Sequence, residues 1–485
     1  MVFTLPEINF GWLLPEITVS LTAIVVLLLS VFFRQERAMT LVGTISLIGS
    51  GVALLFTWNL WGARVDIMNS LYTIDNFGTF FKILSLIITL LVTLVSLKYV
   101  KREGLIKGEY YTLVLLSTLG MMVMVSTNHF ITLFIGLELM SIGLYVLCGL
   151  LGENVRAVEA SLKYFLLGAF ATAFLLYGIA LNYNTTGILD VRELARFINS
   201  GEFSLTPLFM AGMALLIVGF GFKTASVPFH MWTPDVYEGS PTAITAYMAT
   251  GVKAAAFGAF LRVFYVAFSA LLAGWSSILW LMAFLTMTVG NVIALVQDDV
   301  KRMLAYSSIA HAGYILITFV IGDPSLSSSI LFYCLAYTFM NIGAFTVVIM
   351  LSKREGEDTS LEAYAGLAGR HPLVALSMAI FLLSLAGVPP LAGFMAKFYV
   401  LAAAIKKGYY GLAIIGVLNS VVAAYYYLRV IMYMYFKEGE REQGRVDISA
   451  SYSLVLFVST AALFYIGIFS RDFLLLAGEA VGIFL

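Results

Sequence analysis

Charged residues are scarce in this sequence. Only 12% of its 485 residues are charged, while 61% are hydrophobic, whereas a soluble protein has about 25% charged residues. Apolar runs of about 18 residues or more recur from end to end, and runs of that length predict transmembrane helices. Because the runs are continuous rather than alternating, they exclude a transmembrane β-barrel. The sequence therefore predicts an all-α polytopic membrane protein.

Cysteine and net charge are low as well. The chain has only two cysteines, Cys148 and Cys334, both deep in apolar runs and far apart in sequence. We predict buried thiols, since a disulfide, a zinc site or an iron–sulfur cluster would need another spacing or more ligands. The 28 basic residues balance 28 acidic ones without a basic patch, which argues against a nucleic-acid partner. We therefore expect no redox centre in this chain.

About 14 segments are predicted to cross the membrane, the first being long enough to span and lacking the basic start of a cleaved signal peptide. Two of the spans, the seventh and the twelfth, exceed a straight crossing of about 20 residues. Each contains proline, Pro228 in the seventh and Pro389 with Pro390 in the twelfth. Because proline breaks a helix, we predict two discontinuous helices. The predicted bounds are 10–33, 38–60, 76–99, 110–127, 129–150, 160–184, 206–237, 241–266, 273–296, 302–321, 326–351, 373–405, 409–436 and 451–475.

The basic residues predict an orientation in the lipid bilayer. Most of the 28 lie in or beside the loops that follow odd-numbered spans, for example Lys101, Arg102, Lys301 and Arg302. Since cytoplasmic loops are enriched in Lys and Arg, these loops are expected to be cytoplasmic and both termini to face outward. The segment 188–200 is predicted to form a short amphipathic helix on the outer surface.

Ionisable residues inside predicted spans are the main candidates for function. Each costs about 2.5–3.5 kcal/mol on insertion scales, so each needs a physical reason. Lys253 follows Pro241 by twelve residues, about 18 Å along a helix, provided that Ser240 caps the helix and Pro241 begins it. Glu138 is about 15 Å into the fifth span by the same count.

Two further lysines lie beside the predicted helix breaks. Lys223 precedes the break of the seventh span, and Lys397 follows that of the twelfth. A break frees backbone carbonyls and admits water, and burial of a lysine favours its neutral form. This combination predicts a proton relay, although static ion pairing of the same residues is an alternative.

Other polar residues in the spans are weaker candidates for a functional role. His311 has Ser307, Ser308 and Tyr314 as neighbours, so it is either a relay group or a packed structural histidine. Lys82 is expected to be in a structural pair or to snorkel, with a proton role as the alternative. Arg262 and Arg429 are expected to snorkel to the interface, and His230 to have an interfacial or hinge role.

The order of the spans suggests an internal repeat. Spans four to eight and nine to thirteen each number five, and the fourth of each set is the broken one. Because five is odd, the second unit would be inverted, as in many ion transporters. We therefore expect two inverted five-helix repeats. The predicted segments are an N-terminal three-helix segment (1–109), a first repeat (110–268), a second repeat (269–436) and a C-terminal helix (437–485).

Three stretches resemble the antiporter-like membrane subunits of respiratory complex I. They are VPFHMWTPDVYEGSPT (227–242), QDDVKRMLAYSSIAHAGY (297–314) and LSLAGVPPLAGFMAKFYV (383–400). The first is similar to the subunit N (mitochondrial subunit 2) type rather than to the L, M or Mrp types. The chain also ends soon after span fourteen, unlike subunit L. Lys397 stands where the M type carries a glutamate.

The resemblance implies roles for the candidate residues. Glu138 and Lys223 would form the switchable pair of an input half-channel, and Lys253 would be the central link. His311 would pass protons to Lys397 at an outlet on the outer face. Energy would come from NADH-to-quinone electron transfer in other subunits.

The resemblance also implies a setting. NAD, FMN, iron–sulfur clusters and quinone are expected in partner subunits and no cofactor in this chain. The partners would be other membrane subunits of the complex, including the M type and small subunits, in the bacterial inner (plasma) membrane. Two alternatives remain: a subunit of a related cation/proton antiporter or complex-I-like enzyme, and a passive scaffold subunit whose buried charges only hold the assembly together.

Overall fold

The computed structural model describes residues 9–32, 36–105, 107–352, 358–439 and 446–484, and within them the chain is almost entirely helical. One two-stranded antiparallel hairpin, β1 (Val65–Ile67) and β2 (Tyr72–Ile74), precedes α3. The α-helices are α1 Leu14–Phe32, α2 Glu36–Trp58, α3 Asn76–Arg102, α4 Glu109–Val125, α5 Phe130–Cys148, α6 Val155–Thr186, α7 Val191–Asn199, α8 Pro207–Lys223, α9 Thr233–Gly239, α10 Thr242–Tyr247, α11 Lys253–Val266, α12 Leu272–Leu295, α13 Val300–Ile321, α14 Ser328–Leu351, α15 Leu367–Arg370, α16 Pro372–Ala386, α17 Ala392–Lys406, α18 Tyr410–Phe436, α19 Ala450–Ile468 and α20 Ser470–Val481.

The helices have the length and composition of a membrane bundle. In the described part of the chain, 11 helical segments are long and apolar enough to cross a bilayer, and α4, α8 and α16 are shorter apolar helices. The prediction of an all-α polytopic membrane protein is confirmed at this level. The free thiols Cys148 and Cys334 are both buried, as predicted.

Burial separates an inner from an outer set of helices. In the segment Thr242–Val266, which contains α10 and α11, 100% of the most apolar 18-residue stretch is buried. In the segment Phe10–Phe32, which contains α1, only 33% of the corresponding stretch is buried. The outer helices expose large apolar side chains such as Leu28 on α1 and Phe170 on α6, as expected of surfaces that face lipid. Polar groups on α10, α11 and α13 are therefore enclosed by protein.

Glycines allow two helix pairs to approach closely. A Cβ at Gly120 of α4 would lie 2.4 Å from the Met140 backbone nitrogen of α5. A Cβ at Gly290 of α12 would likewise lie 2.7 Å from the Ala310 backbone nitrogen of α13. Small residues at such crossings allow backbone-to-backbone packing between membrane helices, so the two helices of each pair pack closely against each other.

Both discontinuous helices are present. In the seventh predicted span α8 ends at Lys223, residues 224–232 form an irregular segment, and the short α9 follows. In the twelfth, α16 ends at Ala386 and α17 begins at Ala392. Pro228, Pro389 and Pro390 lie inside these two irregular segments, as predicted. The Val227–Pro228 and Pro389–Pro390 peptide bonds are cis.

The helix of Lys253 differs from the expectation. The prediction that Ser240 caps it and Pro241 begins it is wrong, because Pro241 is extended (ψ 130°) and itself occupies the N-cap position of α10. Ser240 is also extended, and its carbonyl accepts a 2.7 Å hydrogen bond from Lys301 Nζ. A π-helical turn over Met248–Val252 then separates α10 from α11.

The amphipathic segment 188–200 is helical as predicted. It contains α7, whose first turn is capped by the Asp190 carboxylate accepting from the Arg192 and Glu193 amides. Its apolar side chains Val191 and Leu194 are buried against the bundle, so α7 packs onto the protein along one face.

Candidate functional site

Five ionisable side chains proposed from the sequence lie on five different helices within the bundle. Glu138 is on α5, Lys223 ends α8, Lys253 begins α11, His311 lies in the middle of α13, and Lys397 is on α17. Lys223, Lys253, His311 and Lys397 are at most 5% exposed, and Glu138 is half-buried. Ionisable side chains that are buried to this extent need polar partners, and each of the five has at least one.

Lys223 is bonded to hydroxyls rather than directly to Glu138. Its Nζ donates a 2.8 Å hydrogen bond to Ser141 Oγ and lies 3.4 Å from Tyr145 Oη. Glu138 Oε1 accepts a 2.8 Å hydrogen bond from Thr172 Oγ1 on α6. Ser141 and Tyr145 are one and two turns beyond Glu138 on α5, so the hydroxyl partners of Lys223 lie on the same face of that helix as Glu138.

Lys253 is held by the neighbouring helix α13. Its Nζ donates to both the carbonyl and the Oγ of Ser308, each at 2.8 Å. Thr250, Lys253, Ser308 and His311 help to line a cavity of about 10 Å³, which is close to the smallest space that holds one water. The cavity lies between the lysine and the histidine.

His311 uses both ring nitrogens. Nδ1 is 2.6 Å from Tyr333 Oη of α14, and Nε2 is 3.3 Å from Tyr427 Oη of α18. Ser307 Oγ also contacts Tyr427 Oη. In a neutral imidazole one nitrogen donates and the other accepts, so the ring connects two hydroxyls on opposite sides.

Lys397 lies directly against the second helix break. Its Nζ donates a 3.0 Å hydrogen bond to the carbonyl of Ala386, the last residue of α16, and lies 4.9 Å from the ring centre of Tyr314. Gly387 follows in the left-handed region (φ 93°), where a Cβ would lie 3.1 Å from Lys397 Cδ. The break therefore supplies the lysine with a free carbonyl and with room.

The partners of these charges were largely missed from the sequence. Ser141 and Tyr145 could have been found, because their spacing from Glu138 places them on its face of α5. Tyr333 and Tyr427 gave no signal, since they come from helices distant in sequence and look like ordinary aromatic residues in apolar runs.

Other buried charges form static pairs. Lys82 Nζ lies 3.0 Å from Glu16 Oε1, in agreement with structural pairing. The prediction that Arg262 snorkels to the interface is wrong, because its side chain is 1% exposed and lies 2.8 Å from Asp75 Oδ2. Asp75 caps α3 and offers both carboxylate oxygens to the guanidinium, which is a better partner than lipid headgroups at that position. Arg429, partly exposed, pairs with a surface carboxylate.

His230 lies inside the irregular segment 224–232 and is 8% exposed. Its Nδ1 has no hydrogen-bond partner among the described residues. The structure thus locates it in the helix break, and its predicted interfacial or hinge role stays a prediction.

Sequence comparison identifies the family. Residues 127–423 match the family described as NADH:quinone oxidoreductase/Mrp antiporter, TM. The NADH-quinone oxidoreductase subunit N of Trichlorobacter lovleyi is 47% identical over 98% of this chain and 97% of its own length. The chain belongs to the subunit N family of NADH-quinone oxidoreductase. The subunit N family assignment confirms the resemblance carried by the three sequence stretches.

Solved structures agree with this assignment. A chain of respiratory complex I from Thermus thermophilus is 34% identical, with a TM-score of 0.81 over 96% of this chain and 99% of that one. A chain of the Mrp complex from Dietzia sp. has a TM-score of 0.85 at 21% identity, over 98% and 97% of the two chains, and shows a common fold alone. The subunit N family member described here thus has the antiporter-like membrane fold.

Among the residues that the structure describes, no group of three or more His, Cys, Asp or Glu side chains is placed to hold a metal ion. The buried polar side chains of the candidate site bond to hydroxyls and to backbone carbonyls.

Proposed function

We propose that this subunit N family member is a proton-translocating membrane subunit of complex I, with a relay formed by Glu138, Lys223, Lys253, His311 and Lys397. The observation that carries the proposal is the series of buried ionisable groups, each bonded to a hydroxyl or a carbonyl and two of them beside helix breaks. Such groups can exchange protons through short hydrogen bonds, because hydroxyls both donate and accept.

In this relay Glu138 and Lys223 act as the switchable input pair. Since Ser141 and Tyr145, the partners of Lys223, share the face of α5 that carries Glu138, a change in the charge of one alters the field on the other without a direct ion pair. Lys253 is the central link.

The second half of the relay leads to the outlet. Lys253 is held by Ser308, one turn before His311 on α13. His311 receives the proton across the small cavity and passes it through tyrosine hydroxyls toward Lys397.

Two inverted five-helix repeats, in a chain of about 14 spans, provide the frame for the relay. Three features support this arrangement: each proposed repeat contains one broken helix, each contains a close glycine-mediated helix pair (α4 with α5, and α12 with α13), and each has an isolated backbone bridge at the N-cap residue of the second helix of that pair. The bridges are His129 with Asp190 and Asp299 with Ser360. The proposed segments remain 1–109, 110–268, 269–436 and 437–485.

The proposed setting is the bacterial inner membrane, with both termini outside and the outlet at Lys397 opening outward. Other membrane subunits, including the M type and small subunits, are the partners. Electron transfer takes place in partner subunits that carry NAD, FMN, iron–sulfur clusters and quinone. Their chemistry supplies the energy, while this chain contributes proton movement and no redox step of its own.

The test uses bacterial membranes containing the assembled complex with Lys223→Ala. Quinone reductase activity and proton uptake are recorded together after native gels confirm assembly. Both are expected to fall, since the alanine removes the buried amine that ends α8 at the first break. Lys437→Ala is the matched control, because that lysine is paired with Glu362 at the protein surface.

Each alternative has its own outcome. Parent-level activity and uptake in an assembled Lys223→Ala complex would show that the lysine is structural. Lost assembly with normal pumping in the complex that remains would indicate a passive scaffold. Sodium-dependent transport would favour a cation/proton antiporter.

A further inference from the structure

An ionic cluster outside the relay holds the short helix α9 in place. Arg302, in the first turn of α13, binds Asp235 at 3.0 Å and also contacts Glu238, both on α9. Lys163 of α6 lies 2.7 Å from the other oxygen of Asp235. Lys301 donates to the carbonyl that follows α9. We call Arg302, Asp235, Glu238 and Lys163 the α9 clamp.

The clamp is charged under ordinary conditions. Asp235 lies outside the long apolar helices. Its carboxylate accepts hydrogen bonds from both Lys163 and Arg302, and each of these cations favours the ionised form. The carboxylate is therefore ionised at neutral pH. Arginine suits this position, because its planar guanidinium offers five donors and can serve two carboxylates at once.

A chain of contacts leads from α9 to Lys223. Trp232, the N-cap residue of α9, donates from Nε1 to the carbonyl of Phe222, which precedes Lys223, at 3.1 Å. The indole stacks on Tyr164 with ring centres 4.6 Å apart, and Tyr164 packs edge-on against Tyr145 at 4.8 Å. Tyr145 in turn lies beside Lys223 Nζ. The position of α9 thus affects both the position of the backbone next to Lys223 and the packing of the aromatic side chains beside it.

We infer that Arg302 is a positioning residue for Lys223, acting through α9 and Trp232 to keep the lysine within reach of Ser141. Residues 224–232 form no regular helix, so contacts from neighbouring helices help to fix the distance between α8 and α9. Lys163 supplies one such contact from α6. Arg302 supplies another from α13, the helix that also carries Ser308 and His311. It therefore ties the first helix break to the second half of the relay. This inference rests on the proposed function, since it assigns a mechanical support to the proposed proton site.

The experiment compares the complex carrying Arg302→Gln with Arg302→Lys and with the control Arg429→Gln. The control removes another partly exposed arginine–aspartate pair, on α18, which does not touch α9. The first measurement is amide hydrogen exchange of residues 224–233 by mass spectrometry. Exchange is expected to accelerate about two- to fivefold in Arg302→Gln, the range for loss of a partly exposed ion pair. It should accelerate less in Arg302→Lys and stay unchanged in the control.

The second measurement links the clamp to the relay. Proton uptake and quinone reduction should both fall about twofold or more in Arg302→Gln and recover partly in Arg302→Lys. In a Lys223→Ala background the same substitution should cause no further loss. Unchanged exchange at 224–233, or an equal further loss without Lys223, would overturn the inference.

A variant that fails to assemble is replaced by Glu238→Gln, which removes one clamp acceptor and leaves α13 intact. Failure of the proposed function is recognised separately. In that case Lys223→Ala alone would pump normally, while the exchange measurement would still report whether Arg302 holds the break segment.

Discussion

The substitution Ser141→Ala removes the nearest hydrogen-bond partner of Lys223 without adding or removing a charged side chain. Lys223 Nζ is 2.8 Å from Ser141 Oγ, and its other hydroxyl partner is the more distant Tyr145 Oη at 3.4 Å. In Ser141→Ala the ammonium therefore loses its short hydrogen bond. A hydrogen bond to a charged group contributes about 1.5–3 kcal/mol. Each 1.4 kcal/mol is about tenfold in an equilibrium or a rate, so proton uptake should fall by about tenfold or more.

The assay measures proton uptake and quinone reduction together in membranes with a confirmed assembled complex. Ser46→Ala is the control, because Ser46 is also buried but bonds only within its own helix α2. Ser141→Thr, which keeps a hydroxyl, should recover part of the activity. If Ser141→Ala pumps at the parent level while Lys223→Ala does not, the hydrogen bond between Lys223 and Ser141 is not part of the mechanism.

Three further substitutions have expected outcomes. Ser308→Ala removes one of two contacts to the central lysine and leaves the backbone carbonyl, so uptake should fall by less than in Ser141→Ala; an equal or larger loss would contradict this. Arg262→Gln leaves a buried carboxylate unpaired and should cost about 3–5 kcal/mol, seen as a lower melting temperature of the solubilised complex, whereas Arg429→Gln should have little effect. Gly120→Ala places a Cβ 2.4 Å from backbone and should destabilise the complex, while Gly51→Ala meets nothing within 4 Å; equal melting temperatures would refute the packing argument.

Much of the fold could be predicted locally. Long apolar runs are sufficient for transmembrane helices, because an unpaired backbone group in lipid is too costly for other structures. Proline in an overlong run predicted both breaks, since a missing amide and a fixed φ act on the chain where they occur. The first turn around Ser240 and Pro241 was mispredicted. A lysine from α13 binds the Ser240 carbonyl, and no local preference records that contact.

The candidate site likewise has features that local sequence predicts and features that it does not. Depth along a helix can be counted from the sequence, so the five ionisable residues could be named at once. The hydrogen-bond partners of these residues could not be named from the sequence, except for those on the same face of α5 as Glu138. Arg262 illustrates the limit: its distance from a helix end suggested an interface, but the partner that buries it is Asp75, far away in the chain.

A helical membrane protein of the subunit N family, with two broken helices and ionisable residues within its spans, can be recognised from the chain before it is folded. These properties depend on composition, on spacing along one helix and on contiguous motifs. The groups that those residues meet become known from the packed bundle: hydroxyls rather than a carboxylate for Lys223, Ser308 for Lys253, two tyrosines for His311 and a freed carbonyl for Lys397. The physical reason is that hydrogen bonds act over about 3 Å, and helices distant in the chain come within that range only when the bundle is packed.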